Sequence, residues 1–414
     1  MKFSDYRIND DIKHNLDKLG FKKPTDIQFK SIPPILRGED VLAIAQTGSG
    51  KTAAFAIPII HKIHHEKSSK RTDNIKCVVM VPTHELALQI KDVFETIANN
   101  TRVKILAIFG GTEQEAQIQS LYKGVDIVIA TPGRMFDLQH QGALDLSKIE
   151  ILVLDEADHM LDLGFIDDIR DMQRFLPKRR QTLFFSATIN EKIKKLAYSL
   201  VSNAIRIQIS PKDPVSKNVQ HAVVFIEMDD KRFFLERFIN EHPDKKILIF
   251  VRTKVRAERV ASAMERVNIE TLTMHSDKEH KERLRVMKLF KEGKCRILIA
   301  TDINARGIDI PNVDYVINYD LPDEAENYVH RVGRTGRGDK KGQAISFCSK
   351  EELPVLKNIE TFIHKPILRF DIDKNEYEEI VDATNDSTQQ KDLQSLLKEI
   401  EDLDNAKKKK KKKK

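Results

Sequence analysis

Cysteine is nearly absent: the 414-residue chain carries three, Cys77, Cys295 and Cys348, far apart and each inside an apolar run. That spacing offers no zinc-binding pair and no disulfide framework, so each thiol is expected in a buried strand of a protein kept in a reducing compartment. Long apolar runs are missing too. Nothing approaches the ~20 residues that cross a bilayer, and the opening MKFSDYRINDDIKHNL is too charged for a secretory signal. The expectation is a cytoplasmic protein with no membrane partner. Most of the chain also lacks net charge. The formal charge is +7, but Lys407–Lys414 supply +8 of it, leaving the other 406 residues at −1. Basicity therefore belongs to the tail and says little about the folded part.

What the chain does have is alternation of short apolar runs with amphipathic stretches. Strands are expected at 41–45, 77–81, 105–109, 126–130, 151–154 and 182–185. After a break they are expected again at 222–226, 247–251, 271–274, 296–300, 315–318 and 343–347. The runs are continuous, as in parallel strands buried on both faces. With helices between them, two α/β domains follow, which also suits a length beyond one core. The break, SPKDPVSKNV at 210–219, reads as a linker. Past Phe370 the pattern stops. Leu393, Leu397, Ile400 and Leu403 then recur at helical spacing before the lysines, as a solvated, weakly docked or partner-binding helix.

The run VLAIA leads through Ala45-Gln46-Thr47-Gly48-Ser49-Gly50-Lys51-Thr52 into a helical stretch. A strand, a small-residue loop and a helix start aim backbone N–H groups at phosphate oxygens. Gly48 and Gly50 permit close approach, Lys51 would neutralise the β/γ-phosphates, and Thr52 would ligate Mg²⁺. Ala45 replaces the usual first glycine. A ligand-free Gly-rich turn is the alternative. The second half of such a grip is a carboxylate after a buried strand, and Ile151–Leu154 followed by Asp155-Glu156-Ala157-Asp158 supplies it. Asp155 would hold the metal and Glu156 would activate water; taken alone the cluster would be a solvated turn.

Asp155 to Asp158 spell the name of the DEAD-box RNA helicase family, and the chain resembles its compact bacterial members from about Phe3 to Phe370. The resemblance implies two tandem RecA-like domains with parallel sheets: 1–209, a linker at 210–219, 220–370, and a polar lysine-rich C-terminal tail at 371–414. It also implies ATP and Mg²⁺ as cofactors, RNA as partner, and a monomer. Gly20 to Gln28 (GFKKPTDIQ) is similar to the Q motif. There Gln28 would read the adenine edge, Phe3 would pack against the base, and Phe21 counts among the nucleotide contacts; a helix cap is the alternative for Gln28. Ser186-Ala187-Thr188 resembles the motif that couples ATP state to strand separation, through Asp158 and His330. Ala300 to Asp309 resembles motif V, with Gly307 near the phosphates and Asp309 on the ribose. His330 to Arg337 resembles motif VI, whose Arg334 and Arg337 would reach the γ-phosphate as arginine fingers. Because the grip and the fingers fall in different domains, ATP is expected to close a cleft between them.

RNA contacts implied by the same resemblance are Pro82, Thr83, Gly111, Thr131, Gly133 and Arg134, then Arg252, Arg283 and Thr301. Hydroxyls, glycines and arginines suit a phosphate track without base preference. His84 and His280 stand where the family usually has Arg and Gln, changes expected to weaken RNA grip or make it pH-sensitive while sparing ATP chemistry. His61, His64 and His65 cluster as HKIHH with no carboxylate or cysteine to complete a zinc set, so a solvated helix face is expected. Two rival functions share these residues, an ATP-gated RNA clamp and a DNA-directed motor.

The octalysine run should hold polyanions such as RNA or the ribosome. Deleting residues 407–414 is expected to lower RNA affinity and flatten its salt dependence. Eight engaged lysines correspond to a log–log slope of about −6. Titrations across a salt series measure it, and an unaltered slope would remove the tethering idea.

Overall fold

The computed structural model describes residues 2–46, 48–67, 74–209, 215, 218–302, 313–336 and 341–381. They divide into two compact units, one holding the chain through Ile209 and one beginning at Val215.

The first unit is built on β1 (Val41–Ala45), β2 (Cys77–Met80), β3 (Ile105–Ile108), β4 (Ile127–Ala130), β5 (Ile151–Leu154), β6 (Gln181–Ser186) and β7 (Ile205–Ile209). Its order is β3-β4-β2-β5-β6-β1-β7. The second has β8 (Val219–Phe225), β9 (Ile247–Phe250), β10 (Leu272–Met274), β11 (Ile297–Ala300), β12 (Tyr315–Asn318), β13 (Gly342–Cys348) and β14 (Leu368–Phe370). Its order, β10-β11-β9-β12-β13-β8-β14, repeats the first strand for strand. Every pairing is parallel.

Helices covering both faces explain the unbroken apolar runs. Successive residues of a strand point to opposite sides, so Val41, Ala43 and Ala45 enter one core with Val79 and Val153. Leu42 and Ile44 enter the other with Val78, Met80 and Leu154. Twelve strands fall where continuous runs were expected. The other two, β7 and β14, are sheet edges: IRIQI alternates, and all three residues of β14 are exposed. A strand with one wet side carries a weaker apolar signal. All three cysteines are buried and unbridged, and burial pushes the Cys77 thiol well above its usual range.

The second unit takes in residues beyond Phe370. The Tyr377 hydroxyl donates to Asp230 (2.7 Å) and accepts the Glu227 N–H (3.1 Å), its ring lies 4.8 Å from Phe234, and Ile380 is buried. A charged cluster braces the same unit. Lys231, 0% exposed, donates to Glu352 Oε2 (2.5 Å) and the Tyr319 carbonyl (2.8 Å), with Asp320 at 3.9 Å. Glu352 also accepts from Arg252 (3.2 Å) and from the N–H groups of Leu321 (3.0 Å) and Ser349 (3.1 Å).

Removing one partner of a buried ion pair strands the other. Lys231→Ala is therefore expected to destabilise the second unit by about 3–5 kcal/mol, read from denaturant unfolding. A loss below ~1 kcal/mol would mean that the cluster is solvated like a surface pair.

Candidate functional site

Because all strands of a sheet run one way, their carboxyl ends share one edge, where α/β sheets bind ligands. In the first unit that edge collects the loop after β1, the Pro82-Thr83 turn after β2, the glycines after β3, Thr131 after β4, Asp155 after β5 and Ser186 at the end of β6.

The loop after β1 has the backbone of a phosphate cradle. Gly48 and Gly50 hold φ of 83° and 93°, a left-handed conformation that favours glycine. A Cβ on Gly50 would also stand 2.5 Å from Gln28 Nε2. Lys51, 6% exposed, opens the helix Lys51–Glu66 and folds its Nζ onto the Ala45 carbonyl at 2.9 Å. Ser49 Oγ donates to the Gln46 carbonyl (2.7 Å), and Thr52 follows Lys51 on the same helix. Thr47 lies outside the described residues. Gln28 is buried with both ends of its amide engaged: Oε1 accepts the Thr25 N–H (2.9 Å) and Nε2 donates to the Gly50 carbonyl (3.1 Å). It caps its own helix and ties that helix to the loop. Phe21, 38% exposed, stacks on buried Phe3 at 6.3 Å, so Phe21 is the ring that presents a free surface.

The acidic turn carries the strongest electrostatic tension. Asp155 is 3% exposed, and its Oδ1 accepts the Glu156 N–H at 3.0 Å. Burial pushes its carboxyl up to about 7, opposed by Lys51 and reinforced by Glu156 and Asp158. Glu156 takes a left-handed φ of 52°, a strained conformation for a non-glycine residue. Asp158 reaches the turn after β6: its Oδ2 accepts from the Ala187 N–H (3.1 Å), the Thr188 N–H (3.0 Å) and Thr188 Oγ1 (3.2 Å). The hydroxyl of fully buried Ser186 makes no hydrogen bond among the described residues.

The second unit places His330 and Arg334 at the end of the helix Ala325–Val332, with Arg334 Nε donating to the His330 carbonyl at 3.2 Å. Arg337, Gly307 and Asp309 lie outside the described residues. Sequence reasoning passed over two neighbours of these motifs. Arg331, 1% exposed, makes a two-pronged pair with Asp302 (2.6 and 2.7 Å), donates to the Asp320 carbonyl (2.7 Å), and lies over the Phe250 ring. The signal available for it was the carboxylate in Ala300-Thr301-Asp302, which needs a buried cation. His159, 2% exposed, holds Nδ1 3.6 Å from Glu156 Oε2, three residues on along the same turn.

Of the expected RNA contacts, Thr83 caps the helix His84–Ile97 by accepting the Leu86 N–H (3.3 Å), and Thr131 starts the helix Pro132–His140 that carries Gly133 and Arg134. Gly111 is left-handed at φ 72°. His84 stacks on Phe109 at 5.3 Å, next to Gly110. Arg252 is committed internally, to Asp323 (3.1 Å), Glu352 (3.2 Å) and the Leu321 carbonyl (3.1 Å). Thr301 is buried after β11, and Arg283 lies on the helix His280–Lys291. His61 and His64 each accept a backbone N–H through Nδ1, from Asn9 (3.1 Å) and Arg102 (3.2 Å). No helix among the described residues is long and apolar enough to cross a membrane.

Comparison with known proteins places this arrangement. The DEAD/DEAH box helicase profile matches residues 25–196, and that of the helicase conserved C-terminal domain matches 230–339. The ATP-dependent RNA helicase RhlB of Shewanella sediminis is 39% identical over 376 residues, covering 89% of this chain and 86% of that protein. The chain belongs to the DEAD/DEAH box helicase family. The DEAD-box ATP-dependent RNA helicase RhpA of Helicobacter pylori is 34% identical, over 97% of this chain and 80% of its own. Among solved structures, S. cerevisiae Dbp5 bound to RNA and ADP BeF3 superposes with a TM-score of 0.82 at 30% identity, over 92% of this chain and 99% of that one. The two units are thus the tandem RecA-like domains of a DEAD-box protein.

The raised Asp155 carboxyl has a stability consequence. The folded state keeps a proton up to about pH 7, whereas the unfolded chain releases it near pH 4. Stability of nucleotide-free, metal-free protein should therefore fall as pH rises through that window. Asp155→Asn removes this slope and gains on the order of a few kcal/mol at neutral pH. Thermal melts across the window test it, and parallel pH profiles for the two proteins would contradict the assignment.

Proposed function

We propose that this chain is an ATP-dependent RNA helicase in which hydrolysis is coupled to closure of the two units on RNA and local opening of short duplexes. One observation carries the reading. The phosphate loop, the acidic turn and Ser186-Ala187-Thr188 share one sheet edge, and Asp158 joins the last two by accepting from three donors of the Thr188 turn. A change at the acidic turn therefore reaches the turn after β6 through hydrogen bonds.

Gly48 and Gly50 bring the loop backbone against the phosphates, and Lys51 swings from the Ala45 carbonyl onto them. Thr52 and Asp155 would hold Mg²⁺, which when bound neutralises charge on the phosphate oxygens. The donor set fits: both are hard oxygen ligands, and a buried carboxyl pushed up to about 7 gives up its proton readily to a competing cation. Glu156 orients and deprotonates the attacking water, with buried His159 behind it. Gln28 and Phe21 take the adenine. Arg334 and Arg337 complete the site from the second unit, so ATP and RNA binding reinforce each other. RNA as the polymer is supported by RhlB and RhpA, named as RNA helicases, and by Dbp5, solved with RNA. The protein acts as a monomer, with the lysine tail as an added tether.

ATP hydrolysis should be stimulated by single-stranded RNA, and ATP should drive strand displacement of a short duplex. Glu156→Gln is expected to lower stimulated turnover by about 10²–10⁴, and Arg334→Ala with Arg337→Ala by about 10³ or more, both with nucleotide binding retained. Turnover without displacement would indicate a clamp. Stronger stimulation by DNA of equal length would overturn the substrate class.

A further inference from the structure

The second unit carries a groove of about 860 Å³ that no motif uses. It is lined by the loop after β8, the start of the helix Lys231–Glu241 and one face of the helix Lys254–Arg266. Val255, Arg259, Ser262 and Arg266 recur at spacings of four, three and four, so they form one stripe along that helix. Val255 is 55% exposed, and with Met228 and Ala263 it makes an apolar seam facing solvent.

The charges around this seam do not balance. Lys254 pairs with Asp277 (2.7 Å), Glu258 with His275 (2.6 Å) and Lys278 (3.4 Å), and Arg256 with Asp320 (3.3 Å). Arg232, Arg259 and Arg266 have no acidic partner among the described residues, and Asp229 is the one lining acid there without a basic one. A seam of apolar side chains edged by three uncompensated arginines fits an amphipathic acidic segment.

We infer that this groove docks the chain's own residues 393–404. Those residues lie outside the described part, but their sequence has the required chemistry. Leu393, Leu396, Leu397, Ile400 and Leu403 recur at helical spacing, and Glu399, Glu401, Asp402 and Asp404 outnumber a single Lys398. The chain also leaves from the right place. Its last described residues pack on the helix Lys231–Glu241, with Tyr377 on Phe234 and Asp230, while the same helix lends Arg232 to the groove. The eleven residues 382–392 span up to about 36 Å, ample to cross one helix of ~10–12 Å diameter. Exposed ion pairs hold little by themselves, so the apolar seam carries the binding and the arginines set its register. Docking there anchors residues 407–414 to the second unit.

Hydrogen exchange on the full chain, without nucleotide or RNA, tests this by mass spectrometry. Amides of 393–404 should exchange on the order of tenfold or more slower than in the same chain carrying Val255→Asp. Arg259→Glu with Arg266→Glu should abolish the protection, and adding Glu401→Arg with Asp402→Arg should restore it. The substituted groove positions are exposed, so these variants are expected to fold, which unchanged exchange in β9 and β11 would verify. Unprotected amides at 393–404 in the unmodified chain would overturn the inference. So would protection that survives the arginine reversals, or protection that grows with protein concentration, which would place the segment on a second copy.

Discussion

Shared strand direction is the constraint on which this molecule rests. A parallel sheet must be crossed by a helix between every pair of strands, so both faces are covered and the strands become dry. The only places left for polar chemistry are the strand ends, and shared polarity gathers all the loops of one kind on one edge. Six short stretches separated by up to about 140 residues in the chain thereby meet on the first unit. No single loop could supply a glycine cradle, a lysine, two working carboxylates and a hydroxyl turn.

The same dryness sets the electrostatics. Asp155 sits at the end of a strand with no exposed neighbours in its sheet, and its carboxyl is held near neutrality rather than in the usual acid range. A site that disfavours its own charge in the empty state is primed for a ligand that brings cations. Asp158, three residues along the turn, solves the same problem internally by accepting from the Thr188 turn and the His159 N–H. Two acids of one tetrapeptide thus differ because Asp158 has four protein donors while Asp155 has the Glu156 N–H.

Most of the architecture was legible in the sequence because continuous apolar runs and glycine spacing report backbone demands directly. The edge strands were not: β7 alternates and β14 is wholly exposed, so neither carries the core signal. The packing of Tyr377 and Ile380 was missed for a related reason, since two anchoring side chains in a polar stretch make no periodicity. Within the site, residue types were readable but their present partners were not. Gln28 is spent on capping and on Gly50, and Arg252 on Glu352 and Asp323, pairings that only three dimensions reveal. Arg331 escaped notice because a buried cation looks like a surface one until its carboxylate is found, and His159 because sequence does not show that it lies buried beside Glu156.

The duplicated strand order has a further consequence for Lys231. It opens the helix after β8 six residues beyond the strand's last residue, as Lys51 does after β1, and Asp320 follows β12 much as Asp155 follows β5. In the second copy the intervening turn is Ile226-Glu227-Met228-Asp229-Asp230, acidic and without glycine, and Glu352 occupies the ammonium group. At this matching position the lysine is an internal rivet. With that turn free of glycine and its lysine buried against Glu352, the second unit keeps the geometry of the repeat and uses the lysine as mortar.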